Sequence, residues 1–181
     1  NKILIQWTNN QNVFMKFQSF DEDKNGYIDH VSWTAPHNST EIFEIIYLSK
    51  AFRLDADKNV LEDIYEIVKT RDQIFSELLS EQYVRVTFAE LMDNSRDITI
   101  YAKPHNLEET TKIEVYTIDG QLLEVFEDID HDGKYKILLT NLQAPTDTYD
   151  LKIIGDIDID YIVDPLVERY WVGGGSSNNW S

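Results

Sequence analysis

The chain has 181 residues, with 33 Asp and Glu against 16 Lys and Arg, for a formal charge of -17. A surface this acidic repels phosphate backbones and anionic lipid heads, which excludes nucleic-acid and membrane-surface binding as leading functions and favours cations. Hydrophobic residues at 42% supply a real core, no apolar run reaches the roughly 20 residues of a spanning helix, and the absence of cysteine excludes disulfides, thiolate metal sites and a Cys nucleophile.

The chain opens in an expected strand (Ile3, Leu4, Ile5, Trp7) without the layout of a signal peptide. Both ends read as interior to a longer protein. Val13, Met15 and Phe17 fall on one face of the next strand, and Tyr27, Asp29, Val31 and Trp33 on one face of another. Ile42 to Leu48 is nearly continuous apolar and suits a central strand.

From Val60 to Leu79 the rhythm changes. Leu61, Ile64, Tyr65, Val68, Ile74, Phe75, Leu78 and Leu79 recur at spacings of three and four, which predicts one or two short helices packed on the sheet. Asp57 or Asn59 is placed to cap the start. The competing expectation is a loop with one helical turn.

Alternation returns at Tyr83 to Phe88 and dominates from Asp97 onward. Asp119-Gly120 between Ile113–Val115 and Leu122–Phe126 is a hairpin signal of type I′ character. With Ile98 to Lys103, the segments Tyr135 to Leu139, Tyr149 to Ile154 and Ile157 to Val163 bring the expected strands to six in about 70 residues, fitting a small Ig-like sandwich. Asp156, Asp158 and Asp160 alternate with Ile157, Ile159 and Tyr161, which predicts a wet, charged face that protects a sheet edge. The expected fold is therefore mainly β, with two consecutive antiparallel β-sandwich (Ig-like) modules. The first covers residues 1–96 with a helical insertion at about 60–79, and the second covers 97–166. Residues 167–181, rich in Gly, Ser and Asn, are expected to be a flexible linker or the start of a further module.

The sharpest motif is Asp21-Glu22-Asp23-Lys24-Asn25-Gly26-Tyr27-Ile28-Asp29. Oxygens at alternate positions, then a glycine for the bend, match the first nine positions of a calcium loop, because Ca²⁺ takes six to eight hard oxygens at roughly 2.3–2.6 Å. The candidate ligands are Asp21, Asp23, Asn25, the Tyr27 carbonyl and Asp29. Ser32 stands where an EF-hand places its bidentate Glu, and the flanks alternate like strands. An Asp-rich calcium loop between two strands is expected, against the alternative of a solvated Asx-rich turn. Asp128, Asp130 and Asp132 repeat the alternation, but Lys134 and Lys136 follow, so a polar turn competes with a second metal site there. Asp55, Asp57 and Asn59 lack the glycine, and helix capping accounts for them.

No catalytic constellation stands out. His30, His37, His105 and His131 lie in separate segments, and no H-E-x-x-H, G-x-S-x-G or phosphate-loop pattern occurs. Asn38-Ser39-Thr40 and Asn179-Trp180-Ser181 are sequons, with Asn38 in a polar segment where a glycan would be accessible.

Several stretches together resemble a module pair that recurs in large surface proteins of uncultivated archaea, including small-genome lineages. They are Asp21 to His37, Tyr83 to Phe88, Asp97 to Pro104, Ile113 to Tyr116, Tyr149 to Lys152, Asp160 to Pro165 and Tyr170 to Ser181. The resemblance implies a location and an architecture and carries no catalytic residue. The functional expectation is a non-enzymatic, extracellular structural module of a cell-surface or filament-forming protein, stiffened by calcium. Its partners would be neighbouring modules or subunits, engaged by strand addition, with glycans as a further class. The alternative is a carbohydrate-binding or adhesion module using Trp7, Trp33, Trp171 and Trp180 as stacking surfaces.

Overall fold

Alternation of apolar and polar residues becomes antiparallel strand pairing along the chain. The computed structural model describes residues 4–7, 13–24, 30–34, 40–46, 48–108, 110–164 and 169–172. They form two compact units, one of Ile3–Ile46 with Leu166–Ser181 and one of Tyr47–Pro165.

The first unit holds β1 (Leu4–Trp7), β2 (Val13–Phe14), β3 (Gln18–Phe20), β4 (His30–Ser32), β5 (Thr40–Ile46) and the last strand, β16 (Arg169–Val172). One sheet runs β16-β5-β1-β2, and β3 pairs with β4 in a separate two-stranded ribbon. Ile5 and Trp7, two residues apart, share a face and are buried, with Met15, Phe17, Val31 and Trp33 packed against them. β1 is an inner strand, flanked by β5 and β2. Residues 169–172, expected in a linker or a further module, instead extend this sheet by pairing with β5.

The second unit contains β6 (Leu48–Leu54), β7 (Val60–Asp63), α1 (Tyr65–Val68), β8 (Ser76–Leu78), β9 (Tyr83–Met92), β10 (Asp97–Pro104), β11 (Lys112–Thr117), β12 (Leu122–Phe126), β13 (Gly133–Leu138), β14 (Thr146–Ile154) and β15 (Ile157–Val163). Six strands form a sheet in the order β12-β11-β14-β9-β6-β7, and four form another in the order β13-β10-β15-β8. Val84, Val86 and Phe88 of β9 share one apolar core with Tyr149, Leu151 and Ile153 of β14, and with Ile98, Ile100, Ile157 and Ile159 of the smaller sheet. The two sheets thus form one sandwich.

The expected joint near residue 96 falls inside this unit. The turn from β9 to β10 carries the chain from the larger sheet to the smaller one, while β9 pairs with β14 and β6, and β8 pairs with β15. Strands on both sides of residue 96 therefore complete the same sheets. The apolar run Ile42 to Leu48 likewise splits, because β5 belongs to the first unit and β6 to the second.

The helical expectation over 60–79 narrows to one turn, α1. Val60–Asp63 adds an edge strand to β6. Ile64, Tyr65 and Val68 enter the core, while Leu61, Ile74 and Leu79 stay exposed, so the apolar positions serve different surfaces rather than one helical face. Asp55 caps no helix. Its carboxylate accepts the backbone N–H groups of Asp57 and Asn59 at 2.9 and 2.8 Å, closing the β6–β7 hairpin. The Asp119-Gly120 hairpin forms as expected, with a different turn. Gly120 N–H donates to the Thr117 carbonyl, and Gly120 has φ +90° while Asp119 is absent from the left-handed region. That is a type I turn followed by a left-handed glycine, not type I′.

Candidate functional site

The β3–β4 ribbon pairs Gln18 with Ser32, Ser19 with Val31 and Phe20 with His30. The residues between its last pair are 21–29, so the whole Asp-rich motif is the loop of one hairpin. The Phe20 and His30 rings stack across its base, with centroids 4.6 Å apart and planes at 16°. Strands rather than helices flank the loop, as its alternating neighbours predicted. The pairing fixes the two ends of the loop at Phe20 and His30. Asp21 and Asp23 are exposed, Lys24 has φ 58°, and Glu22 reaches His30 at 3.6 Å. Asn25, Tyr27 and Asp29 lie outside the described residues, as does Asn38.

The second Asp-rich turn is held by its own side chains. Ile129 is buried and its N–H donates to the Thr111 carbonyl at 2.9 Å. That places Asp128 and Asp130 on either side of a buried anchor, beside a shallow cleft of about 260 Å³ that Glu108 also lines. Asp132 does not line it. His131 Nδ1 lies 2.7 Å from Asp130 Oδ1, and this bond holds the Asp130 carboxyl below its ordinary pKa. Tyr135 Oη donates to the His131 carbonyl at 2.8 Å. Among the described residues, no group of three or more His, Asp or Glu is placed to hold a metal ion.

Sequence reading missed the charges that the second unit buries. Asp150 on β14 is fully buried and accepts Arg85 Nε at 2.7 Å, Arg85 Nη2 at 2.9 Å and Lys58 Nζ at 2.9 Å. Burial pushes its pKa up, but the Arg85 and Lys58 bonds outweigh that and hold the carboxyl below its ordinary value. Lys58 sits at φ 64° in the β6–β7 turn, and its ammonium also lies 5.0 Å from the Tyr83 ring centre. Arg96 makes a second two-pronged pair with the buried Asp164.

Asp160 departs from expectation most sharply. β15 is an inner strand between β10 and β8, not an edge. The register against β10 shifts at Tyr101/Ala102, and Asp160 is the extra residue of that bulge. Its side chain is fully buried and accepts the backbone N–H groups of Asp72 and Gln73, each at 3.2 Å. Burial raises its pKa despite these donors. Arg71, in the same tethered loop, lies 3.8 Å over the Tyr101 ring. Asp156 and Asp158 keep the half-wet, charged character expected of this face, Asp156 accepting the Ser80 N–H at 2.8 Å and Asp158 meeting His105 Nε2 at 2.6 Å and Lys103 at 3.5 Å.

No protein-family model matches the chain, and comparison with curated proteins finds no match. The site is therefore read from its own chemistry. Buried carboxylates at Asp150 and Asp164 are saturated by cations, and Asp160 by backbone donors, an arrangement that fixes strands and loops. Trp7 is buried in the first unit, and Trp33, half-buried, packs against it.

Proposed function

We propose that this chain is a non-enzymatic structural segment of an extracellular, cell-surface or filament-forming protein, in which calcium at the 21–29 loop stiffens the first unit. The observation that carries the reading is the Phe20–His30 closure, which makes a nine-position run of alternating oxygens the loop of a single hairpin. Asp21, Asp23, Asn25, the Tyr27 carbonyl and Asp29 would hold the ion. Bound there, calcium would cross-link the two sides of the loop and neutralise part of the -17 charge. Buried ion pairs that lock strands in place agree with a structural role, and the resemblance to archaeal surface modules supplies the location.

The test is thermal melting of the native protein and of the Asp21→Ala/Asp23→Ala variant, each in millimolar calcium and in chelator. Extracellular calcium modules bind at roughly 10⁻⁴ to 10⁻³ M. Calcium is expected to raise the native melting temperature and to leave the variant unmoved. Equal shifts in both proteins would remove this loop as the site.

A further inference from the structure

We infer that β1, β5 and β16 form a mechanical lap joint, with β5 as the splint that carries lengthwise tension through the first unit while residues 47–165 stay outside the load path. The inference rests on the structural reading above and adds to it the route that force takes.

Strand direction and register carry the argument. β1 pairs with β5 from Leu4↔Ile46 to Trp7↔Phe43, and β16 pairs with β5 from Arg169↔Phe43 to Val172↔Thr40. Both are antiparallel to β5, so they run parallel to each other. β1 begins beside Ile46, at one end of β5, and β16 finishes beside Thr40, at the other. Tension entering through β1 and leaving through β16 therefore pulls at opposite ends of the same sheet.

The two ladders are staggered along the splint. β1 grips residues 43–46 and β16 grips residues 40–43, with Phe43 paired on both sides. Force passes from β1 to β5 and from β5 to β16 along the strands. Antiparallel hydrogen bonds lie perpendicular to the strands, so a lengthwise pull strains all the bonds of a ladder at once. A pull across the strands would open them one after another. Forced unfolding follows the unfolding rate, and bonds that must break together give the higher barrier.

Chain order makes the joint protective. Residues 47–165 lie between β5 and β16, so the covalent route through them is a slack loop in parallel with the β5–β16 ladder. Residues 8–39, which include β2 and the 21–29 loop, likewise run in parallel with the β1–β5 ladder. Neither segment bears end-to-end tension until the ladder that spans it parts. When the β5–β16 ladder parts, the second unit takes the load and its unfolding adds about 400 Å of extension, at 3.3–3.6 Å per residue.

Single-molecule pulling on the full chain tests the joint through two attachment geometries. Handles at residues 1 and 181 load both ladders lengthwise. Handles at residues 1 and 47 pull Leu4 and Ile46 apart at the end where they face each other, and so peel β1 from β5. The expected result is a rupture force several-fold higher in the first geometry at equal loading rate, with the 400 Å extension following that rupture. A variant with residues 169–172 replaced by Gly and Ser is expected to extend by the same length without a preceding high-force event. Equal forces in the two geometries, or extension of the second unit before any high-force rupture in the native chain, would overturn the inference. The calcium melting test stands apart from this one. A melting curve indifferent to calcium together with an intact difference between pulling geometries would sink the calcium reading and leave the joint standing, and the reverse pattern would do the opposite.

Discussion

Arg85 grips the carboxylate of Asp150 with both prongs of its guanidinium, Nε to Oδ1 at 2.7 Å and Nη2 to Oδ2 at 2.9 Å, on adjacent strands of the six-stranded sheet. Asp150 has no exposed surface, and Lys58 closes the remaining side. A buried ion needs its full set of partners, because desolvation costs several kcal/mol per ion and only close, well-directed bonds offset it.

Arg85→Ala is accordingly expected to cost about 3 kcal/mol, since it strands a buried carboxylate with Lys58 alone. Urea denaturation measures it. The double variant Arg85→Met/Asp150→Leu is expected to recover most of that loss, because it removes the charge together with its partner. A double variant as unstable as the single would show that packing rather than charge is at stake.

Asp150 and Asp160 are expected to give opposite pH signatures when each is changed to Asn. The folded pKa of Asp150 is lowered, so its ionised form stabilises the fold above the unfolded pKa, near 3.9, and that contribution is lost as pH falls through the folded value. The deficit of Asp150→Asn should therefore shrink in acid. The folded pKa of Asp160 is raised, so ionisation works against folding as pH climbs from the unfolded value through the folded one. Asp160→Asn should gain on the native protein over that same climb. Melting temperatures between about pH 3 and 7 separate the two cases; parallel curves for both variants would contradict the assignment.

Two glycines predict unequal costs. A Cβ at Gly155, where φ is +80°, would stand 2.9 Å from Thr111 Oγ1 and 3.0 Å from the Thr110 carbonyl. Gly155→Ala meets both backbone strain and backbone atoms, and about 1–3 kcal/mol of destabilisation is expected. A Cβ at Gly133 would meet only the imidazole of His131, at 2.7 Å, which is exposed and free to swing away. Gly133→Ala is expected to cost under about 1 kcal/mol and to release His131 from Asp130, visible as displaced His131 ring signals by NMR.

The segment 60–68 offers a direct check on its mixed character. Leu61→Lys changes an edge-strand residue that is 50% exposed and should fall within about 0.5 kcal/mol of the native stability. Ile64→Ala opens the core beside α1 and should cost about 2–5 kcal/mol. A single amphipathic helix would have made both substitutions costly.

Local chemistry in the sequence determined the mainly β character, the hairpin at Asp119-Gly120 and the Asp-rich loop between two strands. Alternation, turn residues and the spacing of Asp and Asn are all short-range properties, written within about ten residues. Tertiary structure alone decided which strands share a sheet. Period two states that Val84, Val86 and Phe88 face one way; it does not state that β9 lies between β14 and β6, or that residues 169–172 return to β5. The same limit hid the buried charges. Nothing local marks Asp150, Asp160 and Asp164 among the 33 Asp and Glu of the sequence, and only the approach of Arg85, the Asp72–Gln73 backbone and Arg96 from distant parts of the chain makes their burial affordable. A carboxylate's surroundings are set by register and bulges between strands far apart in sequence, and no pattern along one strand encodes them.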